Sequence, residues 1–297
     1  MRGNAWKAFF GVMSTQYAGK DRAMILLLII PAVLLLYLFL IAPGCRKKTR
    51  VRAALPCRWY AHRGLHGGDI PENSLIAFKA AAEKGFGIEL DVRLTQDKKI
   101  VVHHDPDLKR SCGEDRWICD MTFKEVSAFR LFGTPCEIPT LAAVCDAVDG
   151  RSPLLIEMKS DRGNRKLPKL LHEQMQGYKG VWCVESFDPR MLFWFRLHDR
   201  RVIRGQLAMD PYRSKEGETG LRFRAAGHLL MNFLSRPAFI AYGHQGGQNP
   251  SFRFVRRVFR PVTAAWTVKS AEESEKLKSV YDVQIFEGFC PDLKNPE

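Results

Sequence analysis

From Arg58 onward, short apolar or β-branched runs alternate with helical patterns, and this alternation limits the possible folds more than any other feature of the sequence. The candidate strands are Trp59–His62, Gly87–Arg93, Ile100–His104, Pro153–Lys159, Val181–Phe187, Val202–Leu207, Ala238–Tyr242, Val262–Val268 and Val283–Glu287. Helical patterns fall between most of them, at Ser74–Lys84, Thr140–Val148, Leu167–Gln176, Pro189–His198, Leu221–Leu234 and Ala271–Ser279. Strand, helix and strand repeated in this way argue for a parallel sheet with crossover helices. Eight such units in roughly 235 residues fit a closed α/β barrel, the (β/α)8 or TIM barrel, better than an open sheet. The 297 residues therefore need not be divided into two globular domains.

One connection breaks the alternation. Only eight residues separate Glu89-Leu90-Asp91-Val92 from Val101-Val102-His103-His104-Asp105, too few for a parallel crossover. The two segments are expected to form an antiparallel hairpin turning at Asp97-Lys98. Cross-strand partners would then sum to about 195, which sets Asp91 opposite His104. His103, alternating with His104, is expected to face away.

Upstream, Ala23 to Pro43 holds twenty-one residues without a charge. As a helix this run would be about 31 Å long, enough to cross a bilayer, and Pro31 is tolerable in lipid. It is longer and later than the apolar core of a signal peptide, which favours a retained anchor. Ala42-Pro43-Gly44-Cys45 is only a faint lipoprotein signal. Lysine and arginine nearly balance across the run, with a slight lean toward a cytoplasmic barrel. The expected organisation is a basic tail at 1–22, a single transmembrane helix at 23–43, a basic juxtamembrane linker at 44–57 and a barrel at 58–297.

The net charge of +14 is uneven: +9 over 1–60, −4 over 61–150, +12 over 151–260 and −3 over 261–297. A nucleic-acid binder would be more uniformly basic, so no nucleic-acid partner is expected, whereas membrane surfaces and phosphate esters fit. The basic segment 206–261 reads as ordinary barrel helices with solvated outer faces. The eight cysteines show no C-x-x-C pair or zinc spacing and read as small, mostly buried thiols.

Glu89 and Asp91, two apart on a strand, point the same way, and two such charges need a cation or a shared proton. Glu157 and Lys159 repeat the spacing at the end of an otherwise apolar strand. Three carboxylates without clustered cysteine make a hard oxygen site suited to one Mg²⁺ or Ca²⁺; the competing reading is an ion-pair ladder with nearby Arg and Lys. His62-Arg63-Gly64 closes the first strand, at the barrel face where active sites gather. Asn73 or Ser74 in Pro71-Glu72-Asn73-Ser74 is a natural N-cap for the following helix.

The motifs Ala61-His62-Arg63-Gly64, Pro71-Glu72-Asn73-Ser74, Glu89-Leu90-Asp91-Val92, Thr95-Gln96-Asp97, Val101-Val102-His103-His104-Asp105, Ile138-Pro139-Thr140-Leu141, Ile156-Glu157-Met158-Lys159, Ser186-Phe187 and Trp266-Thr267-Val268 occur in one order over about 58–291. In that order they resemble the glycerophosphodiester phosphodiesterase family. The resemblance implies a (β/α)8 barrel that hydrolyses glycerophosphodiesters to glycerol 3-phosphate and an alcohol, within glycerophospholipid metabolism. It implies a divalent ion on Glu89, Asp91 and Glu157, His62 and His104 as the general acid/base pair, and Arg63 and Lys159 on the phosphate. Trp266 could wall the glycerol moiety or simply pack in the core.

Ser74 stands where the family commonly has threonine, and Lys269 where it has asparagine. Whether water or a hydroxyl of the substrate's own glycerol attacks is left open by the sequence. Two other readings stand beside the first: a lysophospholipase D-like activity on membrane lipids, and a catalytically silent, membrane-linked binding barrel. No protein partner is legible.

Overall fold

The structure, a computed structural model, describes residues 27–44, 47–162, 165–212 and 220–293. Helix α1 covers 27–41 and α2 is Lys48–Ala54. The strands are β1 (Trp59–Ala61), β2 (Gly87–Leu94), β3 (Ile100–Val102), β4 (Asp107–Leu108), β5 (Glu114–Trp117), β6 (Leu154–Met158), β7 (Trp182–Ser186), β8 (Arg204–Ala208), β9 (Phe239–Gly243), β10 (Val262–Val268) and β11 (Val283–Phe286). The remaining helices are α3 (Leu75–Glu83), α4 (Lys109–Cys112), α5 (Phe123–Val126), α6 (Leu141–Val148), α7 (Leu167–Met175), α8 (Pro189–His198), α9 (Leu221–Gly227), α10 (Asn232–Ser235), α11 (Pro250–Val258) and α12 (Ala271–Leu277).

Eight parallel strands run in the order β1-β11-β10-β9-β8-β7-β6-β2, and β2 pairs back onto β1 to close a barrel. Helices lie between successive strands, as expected of a (β/α)8 barrel. Alternation along each strand sorts side chains into two cores. One set, including Leu90, Ile156, Val184 and Ile240, packs outward against the helices. The other, including Tyr60, Leu155, Cys183, Phe239 and Ile285, fills the barrel interior. Two glycines make room for the interior rings: a Cβ on Gly87 would sit 2.5 Å from the Tyr60 ring, and one on Gly205 would sit 2.1 Å from Phe239.

The anticipated hairpin forms, but its register is shifted by one. Val92 pairs with Val102 and Leu94 with Ile100, so cross-strand partners sum to 194. The amide of His103, not of His104, bonds Asp91 O at 3.0 Å. The reason lies in the turn, which closes Thr95 on Lys99 through three residues, Gln96 to Lys98, with Thr95 N donating to Lys99 O at 3.0 Å and Lys98 at φ +65°. β3 can occupy that position because β1 has only three residues and pairs only with the first two of β2.

Residues 107–133, unassigned by the sequence pattern, form a small cap. The β4–β5 ribbon, α4 and α5 enclose a third apolar cluster of Leu108, Ile118, Met121, Val126 and Leu131, closed by Val101 and Ile138. The single helix expected at Leu221–Leu234 is two, α9 and α10. Leu229 between them adopts φ +60°, which no helix continues through.

The expected transmembrane segment finds no support among the described residues. No helix among the described residues is long and apolar enough to cross a membrane. The tail 1–22 and the first four residues of the apolar run lie outside the described residues, as does Cys45. The described part is α1, whose C-terminal end is docked on the barrel: Ile41 is fully buried, and Tyr37 Oη donates to Ser251 Oγ at 2.9 Å. Asn232 and Arg236 donate to the carbonyls of Ile41 and Ala42, each at 2.8 Å, capping groups that a helix end leaves unpaired. Leu27 through Ile30 and Val33 through Leu36 are exposed. The segment expected to be a linker contains α2, which seals the N-terminal end of the barrel with buried Val51 and Leu55.

Candidate active site

The carboxyl ends of the strands build a polar mouth over the apolar interior. Asp91, Glu157 and Glu185 are register partners on β2, β6 and β7, so their carboxylates share one inward-facing layer, with Glu89 one step below Asp91. One oxygen each of Glu89, Asp91 and Glu157 lies within 4.8 Å of the others, and all three residues are buried. Lys159 Nζ bridges Asp91 Oδ1 at 2.9 Å and Glu157 Oε1 at 2.7 Å. Burial, and then the charges of Asp91, Glu157 and Glu185, push the Glu89 carboxyl well above the usual range. Burial works in the same direction on Asp91, but Lys159, His104, Arg63 and His62 overcome it and hold that group ionised. An all-oxygen donor set of this spacing fits a hard divalent cation.

His62 and Arg63 follow β1 directly. Arg63 adopts φ +56°, and its amide donates to Glu89 Oε2 at 3.0 Å. Its guanidinium lies 2.9 Å from Glu72 and 3.5 Å from Asp91. The turn that allows this needs Gly64, at φ +83°, where a Cβ would sit 2.8 Å from that of Ala77. Asn73 donates to Asp91 Oδ2 at 2.9 Å, and Ser74 caps α3 by accepting from the Ala77 amide. Of the two N-cap candidates, Ser74 therefore caps the helix and Asn73 orients a carboxylate.

His62 Nδ1 lies 2.9 Å from Glu287 Oε2. Burial lowers the His62 pKa to about 4, while the hydrogen bond from His62 lowers that of Glu287 to about 2. At neutral pH the pair is thus a neutral imidazole whose Nδ1–H donates to a carboxylate, leaving the Nε2 lone pair free to accept a proton. His104 is held differently, with Nδ1 2.6 Å from Asp105 Oδ1 and its side chain 32% exposed. Although burial opposes it, hydrogen bonds from His104 and Arg110 hold Asp105 well below the usual carboxylate range. Arg93 donates to the His104 carbonyl and pairs with Asp161, which fixes the backbone where β3 ends. His103 is buried, bonded to Asp105 O at 2.9 Å and Ser111 Oγ at 2.7 Å, away from the mouth.

The mouth therefore gathers His62, Arg63, Glu89, Asp91, His104, Glu157 and Lys159. Trp266 stands on its rim, edge-on to Phe187 with ring centroids 5.4 Å apart. Several supporting residues were not singled out from the sequence. Glu72 and Arg110 link Arg63 to Asp105 through contacts of 2.5 to 2.9 Å. Glu72 lay in the Pro71-Glu72-Asn73-Ser74 motif but was given no role of its own, and the only sequence signal for Arg110 was proximity to the His103-His104-Asp105 motif. Glu287 could have been found as the last residue of a candidate strand, beside β1 in the closed barrel, and Glu185 by its position in an apolar strand.

Comparison with known proteins agrees with this geometry. Residues 62–280 match the model of the glycerophosphoryl diester phosphodiesterase family. Human glycerophosphodiester phosphodiesterase 1 is 31% identical over 173 residues, covering 54% of this chain and 52% of that protein. A lysophospholipase D from Rattus norvegicus is 34% identical over 158 residues, covering 48% of each chain. The chain thus spans about half the length of these curated relatives. Among solved structures, a glycerophosphodiester phosphodiesterase from Thermotoga maritima superposes with a TM-score of 0.59 at 28% identity, over 77% of this chain and 94% of that one. The chain belongs to the glycerophosphoryl diester phosphodiesterase family.

Proposed function

We propose that this protein hydrolyses glycerophosphodiesters to glycerol 3-phosphate and an alcohol. The observation that carries the reading is one mouth holding two histidines with different partners, a three-carboxylate cluster, and Arg63 with Lys159 beside it. Glu89, Asp91 and Glu157 would hold one divalent cation, Mg²⁺ or Ca²⁺, which when bound supplies positive charge to the phosphoryl oxygens.

The chain's own residues do the rest. Arg63 presents a planar fork to two phosphate oxygens and Lys159 a point charge, so charge building up in the transition state meets fixed cations. His62, held neutral with its Nδ1–H on Glu287, accepts the proton of the attacking oxygen at Nε2. His104, oriented by ionised Asp105, donates a proton to the departing alkoxide. Trp266 and Phe187 offer an apolar wall for the glycerol moiety.

The test is release of glycerol 3-phosphate from glycerophosphocholine by the full chain. His62→Ala and His104→Ala should each lower kcat at least a hundredfold, in keeping with the usual size of general acid–base catalysis, ~10²–10⁴. A chelator should stop turnover and Mg²⁺ or Ca²⁺ restore it. Activity that survives either histidine change would refute the mechanism.

A second reading, cleavage of lysophospholipids, is favoured by the exposed apolar length of α1, which suits contact with a lipid surface. Membrane attachment through that helix, with the barrel on the cytoplasmic face, belongs to the same reading. Running lysophospholipid vesicles beside glycerophosphocholine in the assay separates the two, because turnover on vesicles alone would replace the first reading by the second.

A further inference from the structure

His66 takes no part in the reaction just described, yet it sits against it. It lies four residues past His62, in the loop turned by Gly64, and one donor atom each of His62, His66 and Glu287 falls within 4.8 Å of the other two. His66 Nε2 is shielded from solvent and has no hydrogen-bond partner among the described residues. Glu287 reaches the same place from the end of β11, the strand that pairs with β1. The fold thus brings two imidazoles and one carboxylate together beside the three-carboxylate cluster, and all three residues are half-buried, within reach of a small ion.

The two clusters differ in chemistry. Glu89, Asp91 and Glu157 offer only hard oxygen donors, suited to Mg²⁺ or Ca²⁺. Two nitrogens and one oxygen suit a borderline ion, with Zn²⁺ the commonest case, and three protein donors leave one tetrahedral position for water. We propose that His62, His66 and Glu287 form a second divalent-cation site that takes Zn²⁺ in preference to Mg²⁺, and that filling it stops turnover. This inhibitory part rests on the proton role of His62, because a ring whose lone pair is committed to a metal, or whose tie to Glu287 is broken by one, no longer serves as the base.

The experiment uses the full chain in excess Mg²⁺, with Zn²⁺ titrated in while bound zinc and glycerophosphocholine turnover are both followed. One zinc should bind per chain, and turnover should fall at least tenfold at saturation. His66→Ala should keep Mg²⁺-supported turnover, weaken zinc binding ~10–100-fold and be inhibited correspondingly less. His66→Cys, which supplies a thiolate instead, should retain zinc binding. Equal zinc binding and inhibition in the wild-type and His66→Ala chains would overturn the site and place the zinc elsewhere. Zinc held through His66 with turnover unchanged would uphold the site and overturn the inhibition. Failure of the underlying reading would show independently, as undiminished turnover by His62→Ala without zinc.

Discussion

The two histidines of the mouth are chemically unlike, and their neighbours make them so. His62 is enclosed and tied to Glu287, which leaves it neutral until the pH approaches about 4. The acid limb of kcat/KM governed by this base should therefore lie well below the ordinary imidazole value of about 6.5. A pH profile taken at saturating metal checks this, and a limb centred at 6.5 would contradict it. The same shift bears on stability: the unfolded chain takes up this proton first, so folding weakens as pH falls from about 6.5 toward 4.

Glu185 has the opposite sign. Burial, and then the Glu157 charge, push its carboxyl well above the usual range, and neither oxygen has a hydrogen-bond partner among the described residues. The folded chain keeps this proton while the unfolded chain loses it, so Glu185 costs stability as pH rises past the usual carboxylate range. In chelator at pH 8, Glu185→Gln should stabilise the fold by about 1 kcal/mol, roughly 2–4 °C in Tm, with a smaller gain at pH 5. Equal Tm values at pH 8 would disprove it.

Residues set by strand spacing were legible in the sequence: Glu89 with Asp91, and Glu157 with Lys159. Residues such as Arg110, which pairs with Asp105 and Glu72, and Arg93, which bonds the His104 carbonyl, were not, because nothing in the order of residues fixes distances between separate segments.

At the level of elements, the strands were legible to within a residue or two, since each buried strand reads as an apolar run bounded by turns. The hairpin was legible from its short connection, but its register was not. Whether the partners sum to 194 or 195 depends on whether the turn holds an odd or an even number of residues, and three residues, Gln96 to Lys98, separate the paired Thr95 and Lys99. The cap at 107–133 escaped because its elements are two to four residues long, too short for any period to show. Inside the barrel, fit depends on absent side chains. Gly205→Ala would drive a methyl into the Phe239 ring and should cost about 1–3 kcal/mol, measurable by denaturant unfolding. A change below 0.5 kcal/mol would show that the ring yields.

For the whole molecule, the alternation of the sequence foretold a closed barrel, but not that the segment before β1 completes it. That segment read as a basic linker because Arg46, Lys47, Lys48, Arg50 and Arg52 fall within seven residues. Val51 and Leu55 nevertheless close the floor, 1% and 3% exposed. A chain beginning at Arg58 should be less stable than one beginning at Lys47 by about 3–6 kcal/mol, the worth of two buried aliphatic side chains. Urea midpoints of the two chains decide the matter, and coincident curves would mean that the floor seals without α2.

Protein engineering on this scaffold inherits that floor. A fusion partner or affinity handle spliced on at Lys47 leaves the barrel corked, whereas one spliced on at Arg58 takes the cork's place and opens the interior to water from the end opposite the chemistry.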